Sequence, residues 1–266
     1  MLGDNLSWAS VMFGRNSLPP DPNIVGDKWK SMWMQRLNGS GLWLKNWLEH
    51  QRRDDFWKHG SVCENYDDIQ CPVMAVSGWA DGYSNAVFRM LANLNVPRMG
   101  LIGPWSHRFP HDGMPGPAIG FLQECIRWWD QWLKKQDTGI EKEPMLKAWM
   151  QESVPPSVAY EERPGYWLGL NEWPSPKIEQ QALFLNGQYG LSYEKPEEKQ
   201  EEFWVKSPLS LGMFAGKWCS YSAPPDLPGD QREEDGGALV FNSPPLTETK
   251  EIIGAPLVDF QIESDQ

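Results

Sequence analysis

Hydrophobic and polar positions change rhythm twice along this chain. Over residues 1–62 the apolar positions recur at helical spacing. After the turn-forming run Leu18-Pro19-Pro20-Asp21-Pro22, residues Trp29, Met32, Trp33 and Leu37 fall on one face of a helix. Asn38-Gly39-Ser40-Gly41 interrupts that helix. A second stripe through Leu44, Trp47 and Leu48 ends in the polar run from His50 to Asp55. The first 62 residues are therefore expected to form a helical region with wide aromatic faces.

Over residues 63–140 the pattern alternates between strand and helix. Cys71-Pro72-Val73-Met74-Ala75-Val76 is a short apolar run that suits a buried parallel strand. A turn at 78–82 follows, then a helix over 85–94 with Val87, Leu91 and Leu94 on one face. A second buried strand spans 98–102, a Gly- and Pro-rich loop 103–117, and an amphipathic helix 118–135. Strand–helix–strand–helix with short connections predicts part of an α/β core. From 141 to 266 short apolar runs at 145–150, 182–185, 203–205, 238–241 and 258–263 alternate with Pro/Gly turns, and Asn186-Gly187 suits a tight hairpin. That texture predicts the opening of a β-sandwich of jelly-roll type, with too few strands to close it.

Charge and composition narrow the functional classes. The net charge is −12 and no basic run is present, so neither nucleic acid nor an anionic membrane surface is an expected partner. No apolar stretch approaches the ~20 residues of a membrane span, and the N-terminus has no signal-peptide pattern. The four cysteines, Cys63, Cys71, Cys125 and Cys219, form no CxxC pair and have no His at zinc-ligand spacing. The sequence thus predicts reduced thiols, a cytoplasmic setting, no metal and no cofactor. The 16 tryptophans suit a thick aromatic core, an apolar substrate pocket or a sugar-binding platform. Nothing in the pattern speaks to oligomeric state.

Candidate chemistry lies after the two predicted parallel strands. Ligand and catalytic groups of open α/β sheets collect outside the strands' C-terminal ends. Asp81 follows the first strand and His107 the second. Neighbouring strands about 5 Å apart would let the carboxylate accept from the imidazole Nδ1–H, as the acid and base of a serine hydrolase require. Asp81 before Gly82 is also an ordinary turn former, and His107 in a loop an ordinary solvated residue. Ser84, in Gly82-Tyr83-Ser84-Asn85-Ala86, mimics a nucleophile motif but lies well past the end of its strand, and reads better as a helix N-cap. His50, His59 and His111 have no comparable placement.

The runs Ser77-Gly78-Trp79-Ala80-Asp81-Gly82-Tyr83 and Gly103-Pro104-Trp105-Ser106-His107 resemble the GW-x-DG-[FY] and GPW-[ST]-H signatures of the cocaine-esterase and X-prolyl dipeptidyl-peptidase (CocE/NonD) family. Asp54-Asp55-Phe56-Trp57 looks like that family's cap motif. Asp230-Gln231-Arg232 with the run 239–246 looks like the opening of its C-terminal jelly roll. The resemblance implies a C-terminal part of an α/β-hydrolase domain with a helical cap, followed by the start of a β-sandwich. It implies Asp81 and His107 as triad acid and base, and Trp79 and Tyr83 near the acyl pocket. It also implies a small ester or peptide substrate. The family's nucleophile sits in a G-x-S-[YW]-x-G elbow ahead of the cap, and no such run occurs upstream of residue 62. The expectation is therefore a partial chain, inactive by itself. The alternative is a non-catalytic Trp-rich binding or scaffold module. Isolated, such a piece is also expected to fold poorly, because its aromatic faces lack partners.

Overall fold

The computed structural model describes residues 2–195 and 202–264. The chain divides into two compact units, Met1–Asp68 and Ile69–Gln266. The first is helical: α1 (Leu2–Asn16), α2 (Pro22–Val25), α3 (Trp29–Gly39), α4 (Trp43–Glu49) and α5 (Asp55–Lys58). Aromatic packing holds it together. Trp8 lies edge-on to Trp43, Phe13 stacks on Trp43 at 4.5 Å, and Trp43 meets Trp47 at 4.8 Å. Half-buried indole N–H groups find acceptors: Trp33 Nε1 donates to the Ser17 carbonyl and Trp57 Nε1 to that of His50. Asp54 caps α5 by accepting from the Phe56 N–H. Its other oxygen pairs with His50 Nδ1 at 2.6 Å, which holds the Asp54 carboxyl below the usual carboxylate range.

The second unit is built on β1 (Val73–Gly78), α6 (Ser84–Asn93), β2 (Arg98–Gly103), α7 (Phe121–Lys134), β3 (Leu146–Gln151) and β4 (Gly165–Leu170). Strand order is β1-β2-β3-β4, with β1, β2 and β3 mutually parallel and β4 antiparallel to β3. Helices cover both faces. On one, α6 sends Val87 and Leu91 onto Ala75, Ile102, Leu146 and Ala148. On the other, Trp128 of α7 packs on Met99 and Ile140. This explains why β2 is apolar along nearly its whole length: it is buried from both sides. Arg127 ties α7 to the approach of β3 through Glu143, whose carboxylate also meets Lys147. A second apolar stripe on α7, Leu122, Ile126, Trp129 and Leu133, is exposed.

The mixed α/β fold with a parallel sheet agrees with the expected class, and differences lie in the later strands. The run predicted to open the sandwich, 145–150, instead forms the third strand of the α/β sheet, because its Leu146 and Ala148 fill that sheet's core. β4 was not expected; its paired partner β3 supplies the hydrogen bonds that its own exposed pattern does not advertise. The hairpin near Asn186 joins β5 (Phe184–Leu185) and β6 (Leu191–Ser192), but its turn spans 186–190 instead of two residues. There Asn186 Oδ1 accepts the N–H groups of Gln188 and Gly190. The runs at 203–205, 238–241 and 258–263 form no strand. A strand needs a neighbour for its N–H and C=O groups; among the described residues none pairs with 258–263, and Val258, Phe260 and Ile262 remain exposed. Among the described residues no helix is long and apolar enough to cross a membrane.

Candidate active site at the strand ends

β1 and β2 run in register from Val73 opposite Arg98 to Gly78 opposite Gly103, so both chains leave the sheet at the same edge. The two exits are then stitched together. Trp79 N–H donates to the Gly103 carbonyl at 2.9 Å and Ala80 N–H to that of Trp105 at 3.1 Å. The turn that follows is closed by Asp81, whose Oδ1 accepts the Tyr83 N–H at 3.0 Å. Its other oxygen, Oδ2, lies 3.0 Å from His107 Nδ1. The carboxylate thus does both jobs anticipated for it, forming the turn with one oxygen and meeting the imidazole with the other. With its Nδ1–H donated to the carboxylate, the imidazole keeps Nε2 as its basic nitrogen. The Asp81 side chain is 11% exposed and that of His107 41%, so the carboxylate is sheltered and the imidazole is open.

Tyr83 is exposed and its ring lies 5.6 Å from the His107 ring. Trp79 points elsewhere. Its ring stacks on Phe88 of α6, its Nε1 donates to the Trp149 carbonyl, and it lines a cleft of about 320 Å³ with Ala80, Tyr160 and Arg163. Ser84 is the first residue of α6; the N-cap position falls on Tyr83, one residue earlier than expected. Among the described residues no hydrogen bond joins Ser84 Oγ to His107. His111 stacks on Phe109 and His50 belongs to the α5 cap, so neither joins the pair.

One part of the site was not anticipated. Residues 218–222, far along the chain, pack against the loop that carries His107. The His107 N–H donates to the Ser220 carbonyl at 2.7 Å, Arg108 Nε donates to that of Tyr221, and Ser222 Oγ lies 2.6 Å from Ser106 Oγ. Tyr221 meets the imidazole edge-on at 5.2 Å, and Trp218 meets Tyr83 at 5.0 Å. Trp218 sits so close over Gly82 that a β-carbon there would come within 2.5 Å of its ring. Cys219 Sγ lies 4.0 Å from Asp81 Oδ1. The only sequence signal was an aromatic–Cys–Ser–aromatic run inside a polar, Pro-rich stretch.

Buried Asp226 holds this segment in place, its Oδ2 accepting the Tyr221 and Ala223 N–H groups while Oδ1 pairs with Lys217 at 2.6 Å. Burial pushes its carboxyl up, but Lys217 and the two N–H groups outweigh that and hold it below the usual range. A depressed carboxylate contributes stability above its unfolded pKa of about 4, lost as pH falls through the folded value. Asp226→Ala is expected to cost roughly 2–4 kcal/mol at neutral pH through two lost charge-assisted hydrogen bonds. Urea unfolding at pH 7 and pH 3 checks this: the gap to the parent should narrow in acid, and an equal gap at both would refute the account.

An α/β sheet that carries a carboxylate–imidazole pair at adjacent parallel strand ends is the arrangement of the α/β-hydrolase class. Residues 3–108, which include Asp81 and His107, match the family model of the X-Pro dipeptidyl-peptidases (S15 family). Residues 138–266 match that of the X-Pro dipeptidyl-peptidase C-terminal non-catalytic domain. The chain belongs to the serine-hydrolase family of cocaine-esterase (CocE/NonD) and X-Pro dipeptidyl-peptidase proteins. Among curated relatives it is similar to "Putative serine esterase Mb1866c" of Mycobacterium bovis and "Putative serine esterase MT1883" of Mycobacterium tuberculosis. Each is 27% identical over 214 residues, covering 74% of this chain and 32% of the relative. The chain therefore spans about a third of the length of the relatives it matches. Among solved structures it is similar to a CocE/NonD family hydrolase from Staphylococcus aureus, with 17% identity and a TM-score of 0.46, covering 62% of this chain and 28% of that one.

Proposed function

We propose that Asp81 and His107 are the acid and base of a Ser–His–Asp acyl hydrolase, an esterase or X-prolyl dipeptidyl-peptidase-like enzyme, whose nucleophilic serine is supplied by sequence outside these 266 residues. The observation that carries this reading is the 3.0 Å contact between His107 Nδ1 and Asp81 Oδ2 at the ends of β1 and β2. In the reaction His107 Nε2 takes the proton of the serine hydroxyl as its oxygen attacks the substrate carbonyl, and Asp81 stabilises the imidazolium. The same proton passes to the departing alcohol or amine, leaving an acyl-enzyme. Water, deprotonated by His107, then releases the acid and regenerates the serine. Substrates are small esters with a bulky apolar acyl part, in keeping with the names of the mycobacterial relatives, or peptides with proline second, in keeping with the family models. Tyr83, beside the imidazole, and Trp79, in the neighbouring cleft, are proposed to receive the acyl part. By itself the chain is proposed to be inactive.

Fluorophosphonate labelling tests this, because the probe reacts with a serine only when a base activates it. The chain alone should remain unlabelled, Ser84 included. Joined to a segment bearing the family's G-x-S-[YW]-x-G elbow, it should become labelled at the elbow serine and lose that labelling on His107→Ala. Labelling indifferent to His107 would overturn the assignment.

A further inference from the structure

We propose that Asp81, His107 and Cys219 form a site for one thiophilic divalent metal ion, with Zn²⁺ as the ion this donor set fits best. One ligand atom from each of the three residues lies within 4.8 Å of the others. Sulfur, imidazole nitrogen and carboxylate oxygen together are the ligands zinc takes. The spacing is near that of zinc ligands: at tetrahedral angles, Zn–O and Zn–S bonds of about 2.1 and 2.3 Å set oxygen and sulfur about 3.6 Å apart, and Asp81 Oδ1 stands 4.0 Å from Cys219 Sγ. Spacing along the chain gives no hint of this, since Cys219 reaches the pair only through the folding of 218–222 onto the His107 loop.

The surroundings are those of a held site. A ligating group is usually oriented by a second hydrogen bond, and Asp81 Oδ1 accepts the Tyr83 N–H. The cysteine's segment is fixed from both sides, by the His107 N–H on the Ser220 carbonyl and by buried Asp226 on the Tyr221 N–H. The 41% exposure of the imidazole leaves solvent a fourth position.

A thiol nucleophile is the competing use of Cys219, and the geometry disfavours it. A nucleophile belongs at the imidazole nitrogen remote from the acid, whereas this sulfur lies 4.0 Å from Oδ1 of the paired carboxylate itself. A metal held by His107 also takes up the imidazole lone pair, so the loaded site cannot act as a base. That consequence rests on the hydrolase reading; the binding does not.

Cobalt titration provides the test, with Co²⁺ as a coloured stand-in for zinc and the exposed Cys63 and Cys71 replaced by serine. One equivalent should bind with a thiolate-to-cobalt charge-transfer band, and Zn²⁺ should bleach it. Cys219→Ser should abolish the band, and His107→Gln should weaken binding about tenfold or more. Circular dichroism checks the fold; if Cys219→Ser unfolds the chain, His107→Gln, at an exposed side chain, decides the matter. A chain that gives no saturable band, a band that survives Cys219→Ser, or affinity unchanged in His107→Gln overturns the site. Fluorophosphonate labelling in the presence of a chelator reports on the hydrolase reading separately, so either can fail alone.

Discussion

Replacing Trp105 by alanine is expected to lower the stability of the chain by about 3–5 kcal/mol. Trp105 is 1% exposed and stands at the root of the loop that carries His107. Its ring fits against Gly103 so closely that a β-carbon there would approach it within 2.4 Å. Its Nε1 donates to the Pro117 carbonyl at 2.8 Å, closing the loop 103–117 at its base. Alanine empties that volume, and the ring's glycine neighbour has no side chain with which to fill it. The Pro117 carbonyl also loses its donor. Both costs act together, because the cavity and the orphaned carbonyl lie under the same loop. Urea unfolding, read as a shift in midpoint with the slope unchanged, measures the loss. Trp129→Ala, at a residue 54% exposed on α7, is the comparison and should cost less than about 1 kcal/mol. Equal losses at both positions would show that Trp105 does not anchor the loop.

The same loop shows how far the sequence could be read. β1, α6, β2 and α7 were legible because each is sealed by its own periodicity: β2 is apolar throughout because helices cover both faces, and α7 carries Cys125 and Trp128 on one side. Two adjacent strands in parallel register then bring Asp81 and His107 together without further information. The later strands were not legible in this way. Alternation at 258–263 gives a segment the capacity to pair, but pairing needs a partner elsewhere in the chain, and none of the described residues supplies it. β3 is legible as a strand, but its place beside β2 is not, since nothing within 145–150 says which neighbour its N–H groups will meet. Residues 218–222 lie beyond any local signal. They have no regular element, and their place at the site depends on Asp226, His107 and Ser106, which periodicity does not connect.

The largest catalytic effects are expected at the pair itself. In the hydrolase formed when a serine elbow is joined to this chain, Asp81→Asn is expected to lower kcat by about 10⁴-fold and His107→Ala by about 10⁶-fold, with KM little changed. The asparagine loss follows from the geometry. Asp81 Oδ1 is committed to the Tyr83 N–H, so an asparagine keeps its carbonyl there and turns its amide N–H₂ toward His107 Nδ1. Two donors cannot face one another, so the imidazole proton moves to Nε2 and the nitrogen that should receive the serine proton is already occupied. The turn survives and the base is lost. Once His107 is gone, Asp81 has nothing left to orient, so the double variant should be no slower than His107→Ala alone. Steady-state kinetics on a p-nitrophenyl ester decides between the outcomes. Additive losses in the double variant would mean that Asp81 acts independently of the imidazole, and the paired acid–base assignment would fall.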